Sequence, residues 1–416
     1  MGPSYPIRTI TPDEFDTFGA VPGHAFLDEW PAEDREVERL VTEFDRTIAA
    51  FDGTQMVGTA GAHTFRLTVP GGTADAAGVT AVSVLPSHRR RGILTDMMRY
   101  EISDSQQRGE AIATLYASES GIYGRFGFGL ATWHHRIQIR RGDGRLALGA
   151  AAPPSPSLSL RLANPADVRS DLAKVFGTVL PTRPGMLARN DAWWDLLLSD
   201  ETTRRDGMSP LRCLLAEDDS GVRGYALYRT KGTWTDGLPD GAIRVRELTA
   251  LDPAATAALW SDLLSRDLVT EVVAMHRPID DPLLAMLADP RRALPLVSDA
   301  LWVRLVDVGA ALVQRKYACP VDAVIQVQDA FIPENAGRWR LTSSGRDHDG
   351  GTRCERATTP ADLLMSVQAL GACYLGGASF GQLAAAGHIS ELTPGALGRV
   401  AAAMSWDPRP WCSMMF

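Results

Sequence analysis

Hydrophobic positions along the chain form two similar patterns of strands and a helix. In the first, the apolar segments 47–51 and 56–67 flank Asp52-Gly53, a dipeptide typical of a hairpin turn. In the second, residues 214–228 repeat this hairpin. A third apolar strand and then a helix follow each hairpin after a similar gap, the third strands being 78–85 and 244–251. The repetition predicts two domains of the same fold in tandem.

Two changes in this pattern predict the domain boundaries. The strand 131–140 is expected to close the first domain, and residues 149–157 are rich in proline and serine, as linkers are. From about residue 301, alternation predicts strands and helical spacing predicts helices, namely strands at 302–308, 321–328 and 339–341 and helices at 361–370, 379–386 and 394–404. The prediction is an α+β (mixed α/β) protein with domains at 1–150, 151–298 and 299–416.

Length and composition exclude several classes of protein. The 416 residues suffice for about two to four domains, and 45% hydrophobic with 22% charged residues is ordinary for a soluble protein. We find no apolar run long enough for a membrane span and no secretion signal. Five widely separated cysteines argue against disulfides or a zinc site, so a reducing cytoplasm and no metal are expected. A net charge of −8 argues against nucleic-acid binding and favours a cationic partner.

The candidate chemistry begins at the third strand of the first copy. Residues 79–85 are apolar and β-branched, and Pro86 ends the strand because proline cannot donate to a ladder. The arginines 89–91 then precede Gly92 and a helix with apolar residues at helical spacing. Backbone N–H groups of such a turn and the positive end of the helix dipole face an anion, and glycine permits its close approach. The stretch predicts a phosphate site, with a solvated basic surface as the structural alternative.

A second candidate segment follows the next apolar strand, 111–117. It begins with Ser118-Glu119-Ser-Gly and continues as Ile122-Tyr123-Gly-Arg-Phe-Gly-Phe-Gly. A tyrosine beside glycine is commonly a packing residue, and the residues by themselves leave its role open.

The two segments together resemble GCN5-related N-acetyltransferases, the GNAT superfamily. Its acetyl-CoA pyrophosphate loop reads Arg/Gln-x-x-Gly-x-Gly/Ala, which Arg89 and Gly92 fill and from which Leu94 departs at the last position. A Tyr-x-x-Phe-Gly-Phe segment is its second hallmark. Residues 78–135 are similar to one group, the Eis (enhanced intracellular survival) family of aminoglycoside acetyltransferases. The resemblance implies tandem GNAT-like domains followed by a sterol-carrier-protein-like domain, without implying lipid binding.

The resemblance implies that acetyl-CoA binds along a splayed strand, the basic turn and the start of the tyrosine segment. Backbone N–H groups of a strand bulge hold the thioester carbonyl in this superfamily, and no metal takes part. The implied acetyl-CoA residues are Val82, Ser83, Val84, Arg89, Arg90, Arg91, Gly92, Ile93, Leu94, Thr95, Ser118 and Glu119. The second copy has Asp252-Pro253-Ala-Ala in place of the basic glycine turn, so we expect it to form a wall of the substrate cleft instead.

The resemblance also implies the catalytic groups. Tyr123 occupies the position of the general acid that protonates the departing thiolate, and phenol and thiol pKa values of about 10 and about 8.5 suit that transfer. No histidine or glutamate stands out as a base near the motifs. In Eis proteins the base is the terminal carboxylate, which here belongs to Phe416. The apolar tail 410–416 is expected to be buried, and a tail that only packs is the alternative.

The implied acceptor is a cationic amine such as an aminoglycoside, acetylated at one or several positions. Phe26 and Asp28 match the family's substrate pocket. Eis pockets are acidic, and Met415 beside the terminus is not an acid, which leaves the substrate range open. Protein lysine, polyamine or arylalkylamine acceptors, and a non-catalytic carrier or interaction protein, are the alternatives. A homo-oligomer is expected, by resemblance a hexamer.

The acid-rich segment 33–45 has two interpretations, a substrate-facing loop with acids for an amine and a solvated helix. For Glu36 and Glu38 we favour the solvated helix, in which Val37, Leu40 and Val41 turn inward.

Overall fold

The computed structural model describes residues 5–27, 30–147, 149, 158–346 and 351–416. The proposed linker at 149–157 lies almost wholly outside the described residues, and so does Asp28. Among the described helices, none is long and apolar enough to cross a membrane. The same residues include no group of three His, Cys, Asp or Glu side chains placed to hold a metal ion.

The first segment of the chain forms a long antiparallel meander followed by a helix and a parallel strand. Its elements are β1 (Ile7–Thr9), α1 (Phe15–Phe26), α2 (Ala32–Arg39), β2 (Thr47–Asp52), β3 (Gln55–Val69), β4 (Gly72–Val84), α3 (Ile93–Gln107), β5 (Ile112–Tyr116), α4 (Ser120–Tyr123), β6 (Gly129–Leu130) and β7 (Trp133–Arg140). The predicted turn at Asp52-Gly53 is confirmed, because Gly53 joins β2 to β3 with φ of +60°. On α3, Met97, Met98 and Ile102 are buried against the sheet, as their helical spacing predicts.

The second segment repeats this arrangement. Its elements are β8 (Ser159–Ala163), α5 (Arg169–Val179), α6 (Asp191–Leu198), β9 (Arg212–Asp218), β10 (Gly221–Lys231), β11 (Trp234–Thr235), β12 (Leu238–Pro239), β13 (Gly241–Ala250), α7 (Pro253–Ser265), β14 (Val269–Pro278), α8 (Pro282–Met286), β15 (Leu296–Asp299) and β16 (Leu301–Leu305). The β9–β10 hairpin, β13 and α7 correspond to the β2–β3 hairpin, β4 and α3. The Asp252 carboxylate accepts a hydrogen bond from the Ala255 N–H at 2.8 Å. The N-terminus of α7 is therefore capped by its own chain, and the acid there disfavours a pyrophosphate.

The third segment forms a five-stranded sheet with helices. Its elements are α9 (Val308–Val313), β17 (Val321–Gln328), β18 (Gly337–Ser343), β19 (Thr352–Arg356), β20 (Leu363–Ser366), α10 (Val367–Tyr374), α11 (Phe380–Ala385), β21 (Ile389–Glu391) and α12 (Ala396–Met404). The helix predicted at 361–370 is wrong in its first half. Leu363 and Met365 alternate as buried residues in a strand parallel to β17, and the Ser366 side chain then caps α10.

The two large sheets exchange strands. The first sheet has the order β1-β2-β3-β4-β5-β16-β6, and the second has the order β15-β7-β14-β13-β10-β9-β8. The strand predicted to close the first domain is β7, which pairs with β14 and β15 of the second sheet. The strand assigned to the third domain is β16, which pairs with β5 and β6 of the first. The predicted boundaries at 150 and 298 remain a prediction, but the sheets do not follow them at these two strands.

The C-terminal tail crosses back over the other two segments. The Trp411 N–H donates to the Pro184 carbonyl at 2.8 Å, and its indole N–H donates to the His276 carbonyl at 2.7 Å. Trp411, Cys412 and Met414 are buried. These contacts are with the second segment, and the last residue, Phe416, packs against Phe65 of the first, so the apolar composition of the tail is explained by its contacts with both.

Candidate active site

Strands β4 and β5 separate near the centre of the first sheet. They pair in parallel over 76–78 and 112–114, and Gly78 and Thr114 are the last residues of this pairing. Strand β4 continues beside β3 to Val84, whereas β5 continues beside β16 to Tyr116. The two strands therefore leave an opening between them at their C-terminal ends.

A β-bulge on β4 lies at this opening. Thr59 pairs with Ser83 and Gly61 pairs with Thr80. Between these pairs β3 has one residue, whereas β4 has two, Ala81 and Val82. Ala81 has φ of +51°, and the Thr59 hydroxyl donates to its carbonyl at 2.9 Å. A bulge releases backbone groups from the ladder and re-aims them, so it can offer N–H groups to a ligand. The expected residues Ser83 and Val84 follow the bulge directly, and our sequence analysis missed Ala81.

The turn before α3 has the features of an anion site. Gly92 precedes the helix with φ of +87°, and no described side chain caps the helix there. The first N–H groups of a helix have no partner within it, so they remain available to a pyrophosphate. Arg89, Arg90 and Arg91 are exposed around the turn. An uncapped helix N-terminus beside three exposed guanidinium groups fits the pyrophosphate of acetyl-CoA.

Packing against the sheet fixes the start of α3. Ile93 is buried, and its Cγ2 lies 2.9 Å from the place that a Cβ on Gly58 would occupy. Gly58 therefore lets the helix approach β3 closely. Leu94, which departs from the superfamily pattern, is half-buried and packs with Val82 against one core cluster. Thr95 is also half-buried, one residue further along the helix.

Gly92→Ala is expected to raise the KM for acetyl-CoA at least about fivefold, because a Cβ at positive φ costs about 1 kcal/mol and the turn relaxes to avoid it. Gly109 follows the other end of α3 with φ of +76°, and no described atom lies within 4 Å of an added Cβ. Gly109→Ala therefore introduces similar backbone strain away from the turn, and we expect it to leave the KM unchanged. Steady-state kinetics with both variants tests this, and equal KM values for the two would contradict it.

Tyr123 ends α4 and belongs to the same core cluster as Val79 of β4 and Leu115 of β5, the two strands that separate at the opening. It is buried, and its ring centroid lies 6.3 Å from that of Phe128. Burial raises the pKa of the phenol, a hydrogen bond with the exposed Ser118 acts in the opposite direction, and the Glu119 charge raises the pKa slightly further. The hydroxyl is therefore protonated at neutral pH and able to donate.

Phe416 brings the end of the chain to the same opening. Its ring centroid lies 4.9 Å from that of Phe65 and 5.5 Å from that of Tyr116. A Cβ on Gly78 would lie 3.0 Å from the Phe416 ring, so the last residue sits where β4 and β5 part. A terminal carboxylate held there can accept a proton from a group that enters the opening.

Two adjoining cavities lie between the first and second segments. The smaller, of about 220 Å³, is lined by residues that include Ala81, His63 and Phe416. The larger, of about 510 Å³, lies toward β13 of the second segment. Both share a wall formed by Glu38, Trp193, Leu196 and Met415. The pair forms one cleft that leads to the opening.

The cleft corrects the interpretation of α2. Glu38 is half-buried in the wall and forms an ion pair with Arg204, and burial raises the pKa of its carboxyl. Leu40 is 57% exposed instead of turning inward, whereas Val41 is buried as predicted. The sequence interpretation failed because Arg204, the partner of Glu38, comes from a distant part of the chain. Glu36 is exposed, as expected.

His63 is a cleft residue that our sequence analysis missed. It is buried on β3, 5.0 Å from the Trp193 ring and 6.3 Å from the Phe416 ring, measured between centroids. Burial lowers the pKa of its imidazole to about 4. The only feature of the sequence that could have indicated His63 as a cleft residue is its position within an otherwise mostly apolar strand. Phe26, by contrast, is 48% exposed at the end of α1 and does not line either cavity.

Comparisons with known proteins find matches for all three segments of the chain. Family models described as acetyltransferase (GNAT) domains match residues 6–131 and 185–305, and one described as a sterol carrier protein domain matches 308–413. An N-acetyltransferase of Streptomyces avermitilis is 47% identical over 91% of both chains. N-acetyltransferase Eis of Mycobacterium tuberculosis is 33% identical over 95% of this chain and 96% of its own. The chain belongs to the Eis family of GNAT N-acetyltransferases.

A solved structure supports the same assignment. The crystal structure of Eis1 from Mycobacterium abscessus superposes with a TM-score of 0.83 at 32% identity, covering 99% of this chain and 100% of the other. The expected fold, tandem GNAT domains followed by a sterol-carrier-like domain, is thereby confirmed. This Eis-family protein is an N-acetyltransferase, and GNAT domains in general use acetyl-CoA.

Proposed function

We propose that this Eis-family enzyme transfers the acetyl group of acetyl-CoA to a primary amine of a small molecule bound in the cleft. One observation carries the proposal. Ala81 of the bulge and the terminal Phe416 line one cavity where β4 and β5 separate, Tyr123 packs in one core cluster with residues of both strands, and the basic turn at Gly92 begins the helix that follows β4.

The residues have distinct roles in this proposal. Acetyl-CoA supplies the acetyl group as a thioester, and the turn at Gly92 binds its pyrophosphate through backbone N–H groups and arginines. The N–H groups of the bulge receive the thioester carbonyl and polarise it. The Phe416 carboxylate accepts the proton that the amine nitrogen loses as its bond to the acetyl carbon forms. Tyr123 donates a proton to the sulfur as the carbon–sulfur bond breaks.

For the acceptor, the family resemblance proposes aminoglycosides, acetylated at one or several amines. The combined size of the two cavities supports an acceptor of that size. The arginines in the wall of the larger cavity do not favour a polycation. Lysine side chains, polyamines and arylalkylamines remain alternative acceptors. A hexamer and a cytoplasmic location remain predictions.

Release of coenzyme A with a panel of amines tests the proposal. The panel contains an aminoglycoside, a polyamine, an arylalkylamine, a lysine peptide and two anionic amines, and each product is weighed by mass spectrometry. We expect coenzyme A release together with the mass of one or more acetyl groups on at least one amine. Tight acetyl-CoA binding without acetylation of any amine would contradict the proposal.

A further inference from the structure

The larger cavity of the cleft has an unusually basic wall. Its described lining contains six arginines and three carboxylates, the arginines being Arg189, Arg204, Arg205, Arg229, Arg244 and Arg246. The whole chain, by contrast, has a net charge of −8. Positive charge is therefore concentrated in this cavity against the overall balance of the protein.

Most of these arginines have carboxylate partners. Arg189 pairs with Glu247 at 2.6 Å, and Arg244 pairs with Asp206 at 2.7 Å. Arg204 pairs with Asp34 and Glu38, and Arg205 and Arg229 share Asp200. Five arginines of the wall therefore have five carboxylate partners among the described residues, so the excess of positive charge comes from the sixth, Arg246.

Arg246 has no ion pair or side-chain hydrogen bond with any described residue. Leu227 of β10 pairs with Glu247 of β13, and the next residue, Tyr228, pairs with Val245. Arg246 lies between these two partners and pairs with neither residue, so it is the extra residue of a bulge on β13. This bulge corresponds to the one at Ala81 in the first copy. The bulge directs Arg246 into the cavity, where the residue is exposed to solvent.

The surroundings of Arg246 disfavour its charge. Crowding by protein atoms, and then the charges of Arg229 and Arg204, lower its pKa to about 10. The nearby Glu247 carboxylate acts in the opposite direction but is paired with Arg189, and the Arg246 guanidinium remains protonated at neutral pH beside like charges. A bound anion would relieve this repulsion.

Unused hydrogen-bond donors lie in the same wall. Arg229 Nη2 and Arg189 Nε are buried and have no hydrogen-bond partner among the described residues. Buried guanidinium donors usually have acceptors, and a charged acceptor gives the strongest bonds. Both side chains line the cavity, and their incompletely satisfied guanidinium charges would attract an anionic group bound there.

We propose that the acceptor amine carries a phosphate or a carboxylate, which Arg246 and Arg229 bind in the larger cavity while the amine reaches Phe416 through the smaller one. This inference rests on the proposed acetyl transfer and narrows its substrate class. It gives the second GNAT copy a binding role: the copy that lacks a pyrophosphate turn recognises the acceptor's anion. The shared wall at Glu38 and Trp193 lets one molecule span both cavities.

Matched acceptors test the inference on the full-length protein. Glucosamine and glucosamine 6-phosphate differ only in a phosphate, and benzylamine and 4-(aminomethyl)benzoic acid differ only in a carboxylate. We expect kcat/KM to be about tenfold to a hundredfold higher for the anionic member of at least one pair. The pair with the larger ratio of kcat/KM values shows whether the site prefers a phosphate or a carboxylate. Ratios near one in both pairs would overturn the inference while leaving acetyl transfer intact.

The variant Arg246→Gln links the preference to the cavity. We expect it to reduce the anionic-to-neutral ratio about tenfold or more, with acetyl-CoA binding by calorimetry preserved as evidence of folding. Arg212→Gln, an exposed arginine on β9 outside the cavity, is the matched control and should keep the ratio. An unchanged ratio in Arg246→Gln would overturn the inference.

Direct binding separates this inference from the proposed function. Calorimetric titration with glucosamine 6-phosphate and with 4-(aminomethyl)benzoic acid, each against its neutral counterpart, needs no turnover. Tighter binding of an anionic member that Arg246→Gln weakens, without acetylation of any amine, would support the anion site and overturn the proposed transfer. No difference in binding within either pair, in wild type and variant alike, would overturn the anion site.

Discussion

Addition of one glycine after Phe416 is expected to lower kcat at least about a hundredfold, with the affinity for acetyl-CoA nearly unchanged. The added residue turns the Phe416 carboxylate into a neutral amide and moves the new carboxylate away from the opening. General base catalysis of this kind contributes about 10²–10⁴ in rate. The proposed acetyl-CoA residues lie on β4, in the turn and first residues of α3, and after β5, and the proposal gives the tail no contact with acetyl-CoA.

Two controls distinguish loss of the base from disruption of the tail. Met415 is 55% exposed, so Met415→Leu changes the penultimate side chain and keeps the carboxylate. A semisynthetic chain that ends in an amide removes the charge without adding a residue. We expect Met415→Leu to be active and the amidated chain to be as impaired as the extended one. Stopped-flow or steady-state release of coenzyme A measures all three, and an active amidated chain would exclude the terminal base.

His63 is the competing base in this cleft. Its pKa of about 4 keeps the imidazole neutral at pH 7, but makes it a weak base. If the extended chain remained active, His63 would become the leading candidate, because it lines the same cavity as Phe416. The experiment on the terminus therefore decides between two residues that the structure places within one cavity.

Local patterns carried the correct part of the sequence analysis. The turn at Gly92, the segment that ends in Tyr123 and the hairpin at Asp52-Gly53 are each set by residues close together in the chain. Their conformations depend on glycine, proline and helix start signals, which act over a few positions. The burial of the tail could also be predicted from its apolar sequence, because an apolar terminus is stable only when it packs against another surface.

Long-range pairing accounts for the errors. The sequences of β7 and β16 predict strands correctly. The residues within each strand do not determine which of the two sheets it joins. Glu38 reads as a solvated acid until Arg204, from a distant part of the chain, is placed beside it. The basic wall of the larger cavity could not be predicted from the sequence either. Its arginines, such as Arg189, Arg204, Arg229 and Arg246, are brought together only by the second sheet and its helices.

Replacement of Tyr123 by phenylalanine is expected to lower kcat about 10²–10⁴-fold, because the thiolate then leaves without a proton donor. The KM for acetyl-CoA should change little, since the ring keeps its contact with Phe128. Tyr100 on α3 is 37% exposed, so Tyr100→Phe makes the same chemical change away from the opening and should be fully active.

The pH dependence gives a second, independent readout of Tyr123. Its pKa is raised by burial above the ordinary value of about 10, so the acid form persists throughout the neutral and mildly alkaline range. The wild-type kcat should therefore show no decline from this group between about pH 7 and about pH 10. Phenylalanine has no group that titrates, so the deficit of Tyr123→Phe should stay about constant over the same range. A wild-type kcat that falls with a pKa well below about 10, in a profile that Tyr123→Phe leaves unchanged, would assign that titration to another group. The absence of any deficit in Tyr123→Phe would remove Tyr123 from the proton transfer and leave it a packing residue.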